Sequence, residues 1–190
     1  LRGLALDSAA GGLVVLGSGA VPLMSAADRR EFVAAAASEG HVALANNRYS
    51  ADIVAVAHAR DALATLPDLA TDNALPRWLA EHAGYEVGDL RRRWRLGVDI
   101  DGPLDLLLLG GRWADGLTRP DRAPAEARLD AIRAVVADPR AEILVAGRTS
   151  PDALAWLQRA GAARTRALVE ERGLRTTAPG QRPPASVLGM

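Results

Sequence analysis

The chain has 190 residues, 23 basic against 23 acidic side chains and no cysteine, and every one of the basic residues is arginine. The missing lysine excludes a P-loop and Schiff-base chemistry, and the missing cysteine excludes thiolate catalysis, disulfides and cysteine-type zinc sites. A net charge of zero and a pI near 7.1 speak against a general nucleic-acid or membrane-surface binder.

Aromatic residues make up only 4% of the chain, so a core must be built from Ala, Leu and Val. The chain contains no 18-residue apolar run and no charged-then-apolar leader, and a cytoplasmic protein is the default expectation. Leu1 rather than Met opens the chain, which suggests a processed or shortened N terminus.

In chain order, Leu13–Leu16 reads as a buried strand between glycines, followed by the loop Gly17-Ser18-Gly19-Ala20-Val21-Pro22. Ser25, with Asp28 three residues later, forms a capping-box pattern that starts a helix running to about Ser38. Val42–Leu44 and Asp52–Val56 read as strands on either side of the polar loop Asn46–Ala51. Thr71 and Asp72 cap a helix over Ala74–Ala83 that carries Arg77 and His82 and ends at Gly84. The run Arg91-Arg92-Arg93 is expected to be a solvated face, with bidentate phosphate binding as its functional alternative.

Leu96–Ile100 is strand-like, and Pro103 starts a helix over Leu104–Leu109. Residues 112–124, rich in Gly, Pro and charge, are the expected linker between a core of residues 1–111 and an appended segment of residues 125–190. In that segment we expect a helix over Ala125–Ala137, a strand at Glu142–Ala146 and a helix from Ser150-Pro151 to Ala160. Arg166–Glu170 fits a strand or a short helix, and an irregular tail begins at Thr176. Alternating strands and helices point to an α/β fold in three layers with a mostly parallel sheet, whose ligands bind beyond the carboxyl ends of the strands.

Two segments carry most of the chemistry. In Gly97-Val98-Asp99-Ile100-Asp101-Gly102-Pro103-Leu104-Asp105, two carboxylates two residues apart would share one face of a strand. Hard oxygen donors at that spacing suit Mg²⁺ together with substrate phosphates. The plainer alternative is that Asp101 caps the next helix and Asp105 complements its dipole. In the other segment, the small residues Gly17, Ser18 and Gly19 would let a ligand approach the backbone, or form only a tight turn. Asn46, Asn47, Arg48 and Ser50 form a polar loop able to contact a base or phosphate. Helix N termini near Arg77 and at Gly147-Arg148-Thr149-Ser150 offer anion-binding geometry, while Arg172-Gly173 reads as a helix end.

Taken together, these segments resemble the second half of a GT-A-like nucleotidyltransferase. That family includes the molybdenum-cofactor guanylyltransferases and, in closer resemblance, the 2-phospholactate (or phosphoenolpyruvate) guanylyltransferases of coenzyme F420 synthesis. The strand and loop from Leu13 to Leu23 resemble the family's "Gly-Asp-x-Pro-Leu" segment, and Asn46–Ile53 its polar nucleotide-side loop. Thr71–Gly84 resembles the helix that follows. The specific match is Val98–Leu106, which resembles the closing "Leu-Asp-Ile-Asp-Thr-Pro-x-Asp-Leu" motif with Gly102 in place of Thr.

The resemblance spans about residues 11–110. The family's N-terminal strand and glycine-rich nucleotide loop have no counterpart in the chain, and Gly17-Ser18-Gly19-Ala20 lacks the metal-binding Asp. The resemblance implies transfer of a nucleoside monophosphate from GTP or CTP to a small phosphorylated acceptor. Asp99 and Asp101 would hold Mg²⁺, and Gly17, Ser18, Gly19, Asn46, Asn47, Arg48, Ser50 and Arg77 would face the substrates. It also implies a shortened enzyme or, alternatively, a non-catalytic nucleotide- or partner-binding relative, or a sugar-nucleotide glycosyltransferase-like domain. No nucleic-acid or membrane partner is expected, and a homodimer stays open.

Overall fold

The computed structural model describes residues 11–69, 71, 74–115, 122–147 and 149–169. Several sequence expectations fall outside these residues: the capping residue Asp72 with Asn73, Arg148, the segment Glu170–Gly173 and the tail from Thr176. The chain is mixed α/β and divides into two compact units, Leu1–Asp105 and Leu106–Met190. No described helix is long and apolar enough to cross a membrane.

The first unit is built on a four-stranded sheet of β1 (Leu13–Leu16), β2 (Val42–Ala45), β3 (Ile53–Val56) and β4 (Glu86–Asp89), in the order β1-β3-β2-β4. The expectation of a mostly parallel sheet does not describe these pairings. β3 runs antiparallel to both neighbours, with Leu16 opposite Ile53 and Ala45 opposite Val54, and only β2 and β4 pair in parallel. β1, β2 and β4 therefore share one direction, and β3 is reversed between them. The loop Asn46–Asp52 is short enough to turn β2 straight back into its neighbour, whereas a parallel pair needs a long crossover.

Residues alternate between the two faces of the sheet. Ala43, Ala45, Val54 and Val56 face a cluster with Ala59, Ala62, Leu79 and Tyr85, drawn from α2 (Ala59–Thr65), α3 (Leu75–His82) and the start of the β4 segment. Leu44, Ile53 and Ala55 face the opposite cluster with Val21, Phe32 and Leu96, covered by α1 (Ala26–Ala36). Helices thus lie on both faces. Alanines in the centre of β2 and β3 let those helices approach closely, as the small-residue composition requires.

The Ser25–Asp28 capping box forms as the sequence predicts. The Asp28 N–H donates to Ser25 Oγ at 3.1 Å, and the Ser25 N–H donates to the Asp28 carboxylate at 2.9 Å. Three elements differ from expectation. Leu96–Ile100 is not a strand: Trp94–Gly97 forms a 3-10 turn, and Asp99 makes a single bridge opposite Ala20. The outer strand on that side is the charged segment Glu86–Asp89. α2 also lies where no helix was expected, because His58 at its start has φ +46° and offers no side-chain cap.

The second unit places β5 (Glu142–Gly147) parallel to β6 (Arg164–Val169), joined through α6 (Pro151–Ala160). Ser150 caps α6, accepting from the Ala153 N–H at 3.1 Å. α5 (Arg122–Ala137) is tied to the start of β6 by the Ala162 and Ala163 N–H groups, which donate to Val136 O at 2.9 and 3.1 Å. The division between the units falls, along the chain, within α4 (Pro103–Leu109).

Candidate functional site

The carboxyl ends of β1, β2 and β4 and the amino end of β3 lie at one end of the first sheet. The loop Gly17–Val21 emerges there from β1. Its Gly17 N–H donates to Asp52 O at 2.9 Å, and the Ala20 N–H donates back to Gly17 O at 3.2 Å. The loop then lies along the segment that carries the paired aspartates. The Ile100 N–H donates to Gly19 O and the Val21 N–H donates to Val98 O, both at 3.1 Å.

Gly19 has φ +92°, and a Cβ there would stand 2.6 Å from Ile100 O. The contact between the two segments therefore requires glycine at this position. Val21 has φ +48°, an unfavourable conformation for a β-branched residue. It is held there by burial of its side chain, 3% exposed, among Phe32, Leu44, Ile53, Ala55 and Leu96.

Asp99 is half-buried and Asp101 is exposed. Burial pushes the Asp99 carboxyl above its ordinary value, and the Ile100 N–H bond at 2.9 Å pulls it back. The negative charges of Asp101, Asp52 and Asp105 raise it further. The third carboxylate of the motif serves the chain itself: Asp105 accepts from the N–H groups of Asp101 and Gly102 at 2.9 and 2.8 Å, closing the first turn of α4.

Asn46 does not face outward. It is 2% exposed, and its side-chain amide is fully committed. Nδ2 donates to Asp52 Oδ2 at 2.9 Å and to Leu96 O at 2.8 Å, while Oδ1 accepts from the Asp52 and Ile53 N–H groups at 2.9 and 3.2 Å. Asn47 shapes its own turn, with Oδ1 accepting from the Tyr49 N–H at 3.0 Å. Arg48 is half-buried, and its Nε is buried without a hydrogen bond among the described residues. Ser50 is half-buried in the same loop, and Gly17 and Ser18 are exposed. Arg77 is not part of this grouping. It is exposed on α3, the helix whose Leu79 packs on the opposite face of the sheet from Val21 and Leu96.

Arg91 and Arg92 lie on a solvated face as expected, but Arg93 does not. Arg93 grips Glu31 through two bonds of 2.5 and 3.0 Å and also reaches Asp28 at 3.0 Å. Arg95 holds Asp28 through two bonds of 3.0 and 2.6 Å. Arg95, the second of these partners to be reached in the chain, holds the Asp28 carboxyl far below the usual carboxylate range, helped by Ser25 and Arg93. These guanidiniums therefore fasten the Arg93–Gly97 segment to α1. The hidden acceptor, Asp28, was legible in the sequence only as a cap.

Among the described residues no three His, Asp or Glu side chains are placed to hold a metal ion together. Mg²⁺ commonly takes only one or two carboxylates and completes its shell with phosphates and water. Asp99 and Asp101 were expected to share one face of a strand, but no strand forms there, and Asp101 acts on Asp99 only as a like charge that adds to the effect of burial. Comparison of the chain with protein-family models, curated proteins and solved structures gave no match.

Proposed function

We propose that the first unit is a partial GT-A-like fold that binds a nucleoside triphosphate, GTP or CTP, with Mg²⁺. In this reading it transfers the nucleoside monophosphate to a small phosphorylated acceptor in the cytoplasm. The observation that supports it is the contact of Gly17–Val21 with Val98–Ile100, which sets Asp99 beside a glycine loop at the carboxyl ends of three strands, with Asp101 two residues further on.

In this mechanism Asp99 and Asp101 hold Mg²⁺, and the exposed backbone of Gly17–Gly19 lets phosphates approach. Arg48, at the same end of the sheet, supplies guanidinium donors that lysine cannot supply in this chain. The bound Mg²⁺ would neutralise phosphate charge and stabilise the pyrophosphate that leaves. The acceptor phosphate attacks the α-phosphorus in line, so the protein's share is mainly positioning and electrostatics.

Calorimetric titration of GTP and of CTP with Mg²⁺ tests this. Mg²⁺-dependent binding should weaken at least about tenfold in Asp99→Asn and in Asp101→Asn, as expected for the loss of a charge-assisted contact. Undiminished binding in both variants, or no binding by the native chain, refutes the reading.

One observation favours a second reading, a nucleotide binder without turnover: Gly17-Ser18-Gly19-Ala20 contains no carboxylate to add to the pair. Tight Mg²⁺-dependent binding with no pyrophosphate release in the presence of phosphorylated acceptors would select it.

A further inference from the structure

Asn46 lies between the two walls of the candidate site without opening onto it. Its Nδ2 joins two acceptors that are far apart in sequence, Asp52 Oδ2 and Leu96 O. Through Asp52 it reaches the first wall, because the Asp52 carbonyl receives the Gly17 N–H at the start of the glycine loop. Through Leu96 it reaches the second wall, because Leu96 begins the short path to Asp99. Leu96 is 1% exposed, so its carbonyl would otherwise be buried beside an unmet donor requirement.

We infer that Asn46 is the positioning residue of the site: its amide sets the placement of the Asp99 segment against the glycine loop rather than contacting a ligand. This rests on the nucleotide-binding reading for its functional consequence, but not for its structural one. No other residue type fills the role. The position needs two donors on one side and a doubly accepting oxygen on the other, which an Asn side chain supplies at this length. Aspartate keeps the acceptor and loses both donors.

That chemistry separates positioning from simple stability. In Asn46→Asp a carboxylate oxygen faces both Asp52 and the Leu96 carbonyl. In the double variant Asn46→Asp/Asp52→Asn the pair is reversed: residue 52 now donates to residue 46, so the β2–β3 connection is restored. The Leu96 carbonyl still has no donor.

Hydrogen exchange and thermal melting of the full chain, with Mg²⁺–GTP titration, test the inference. The double variant should recover most of the melting midpoint and the protection of the β2–β3 ladder. The Val21 and Ile100 amides, which bond across the two walls, should stay about tenfold less protected than in the native chain, and Mg²⁺–GTP affinity should fall in parallel. Native protection at Val21 and Ile100 in the double variant would overturn the inference, and so would a uniform loss across the whole unit. If the native chain binds neither GTP nor CTP, the nucleotide reading fails, while the exchange pattern still decides the role of Asn46.

Discussion

Asp28 offers the sharpest test of how the first unit is held together. Its side chain is 1% exposed and accepts five hydrogen bonds, two from Ser25, one from Arg93 and two from Arg95. In Asp28→Asn one oxygen becomes an amide nitrogen that faces only donors, and the charge that both guanidiniums answer is gone. The Ser25 cap itself stays, because it accepts from the residue 28 backbone N–H, and weakening the reciprocal bond from the Ser25 N–H costs about 1 kcal/mol. Each charge-assisted contact is worth about 1.5–3 kcal/mol, but the two arginine side chains are 35% and 36% exposed and can turn to water. A net loss of about 3 kcal/mol follows, which for a unit of this size lowers the melting midpoint by about 10–20 °C.

The pH dependence gives an independent measure. The folded value of Asp28 lies below its unfolded value, so its contribution is complete above about pH 4 and is lost as pH falls toward the folded value. In that acid window this carboxylate adds a limiting slope of about 1.4 kcal/mol per pH unit, which the asparagine variant should lack. Urea unfolding at neutral pH and at a series of acid pH values reads both quantities. A loss below about 1 kcal/mol, or an acid slope equal to that of the native chain, would show that Arg93 and Arg95 do not draw their order from Asp28.

Three further outcomes follow. Gly19→Ala meets Ile100 O at 2.6 Å in a φ +92° conformation, so it should cost about 2 kcal/mol in chemical denaturation and expose the Ile100 amide to exchange. Asp99→Asn removes a carboxyl whose folded value is raised, a charge that burdens the fold above that value and not below its unfolded one. At neutral pH the variant should therefore melt at a higher temperature while losing Mg²⁺–nucleotide binding, and a lower midpoint in calorimetry would contradict this. Tyr85→Phe removes a buried hydroxyl that donates to the Ala57 and His58 carbonyls at 3.0 and 3.1 Å, and should cost about 1–2 kcal/mol with no change in nucleotide titration.

Much of the local structure was legible in the sequence because it rests on neighbours in the chain. The Ser25–Asp28 box, the apolar run Leu13–Leu16, the Ser150-Pro151 start of α6 and the helix that Pro103 opens are each specified within a few residues. The glycine loop and the Asp99–Asp101 pair could be singled out for the same reason, as could the Asn46–Ser50 loop between two strands.

Tertiary structure decided the rest, and in each case the deciding partner is remote. A continuous apolar run reads the same in either direction, so nothing in Ile53–Val56 announces that β3 runs against β1 and β2. Glu86–Asp89 has a poor strand composition and becomes a strand because β2 offers it a free edge. Leu96–Ile100 has a good one, yet its backbone bonds go to Asn46, Gly19 and Val21 instead of a continuous ladder. Arg93 and Arg95 look solvated until Asp28, 65 and 67 residues away, appears beneath them. The balanced, lysine-free composition fixed only that any cation meeting a carboxylate or phosphate would be arginine. Which arginines are held inside the fold, and which, like Arg48, keep a donor without an acceptor among the described residues, depends on contacts made across the sheet.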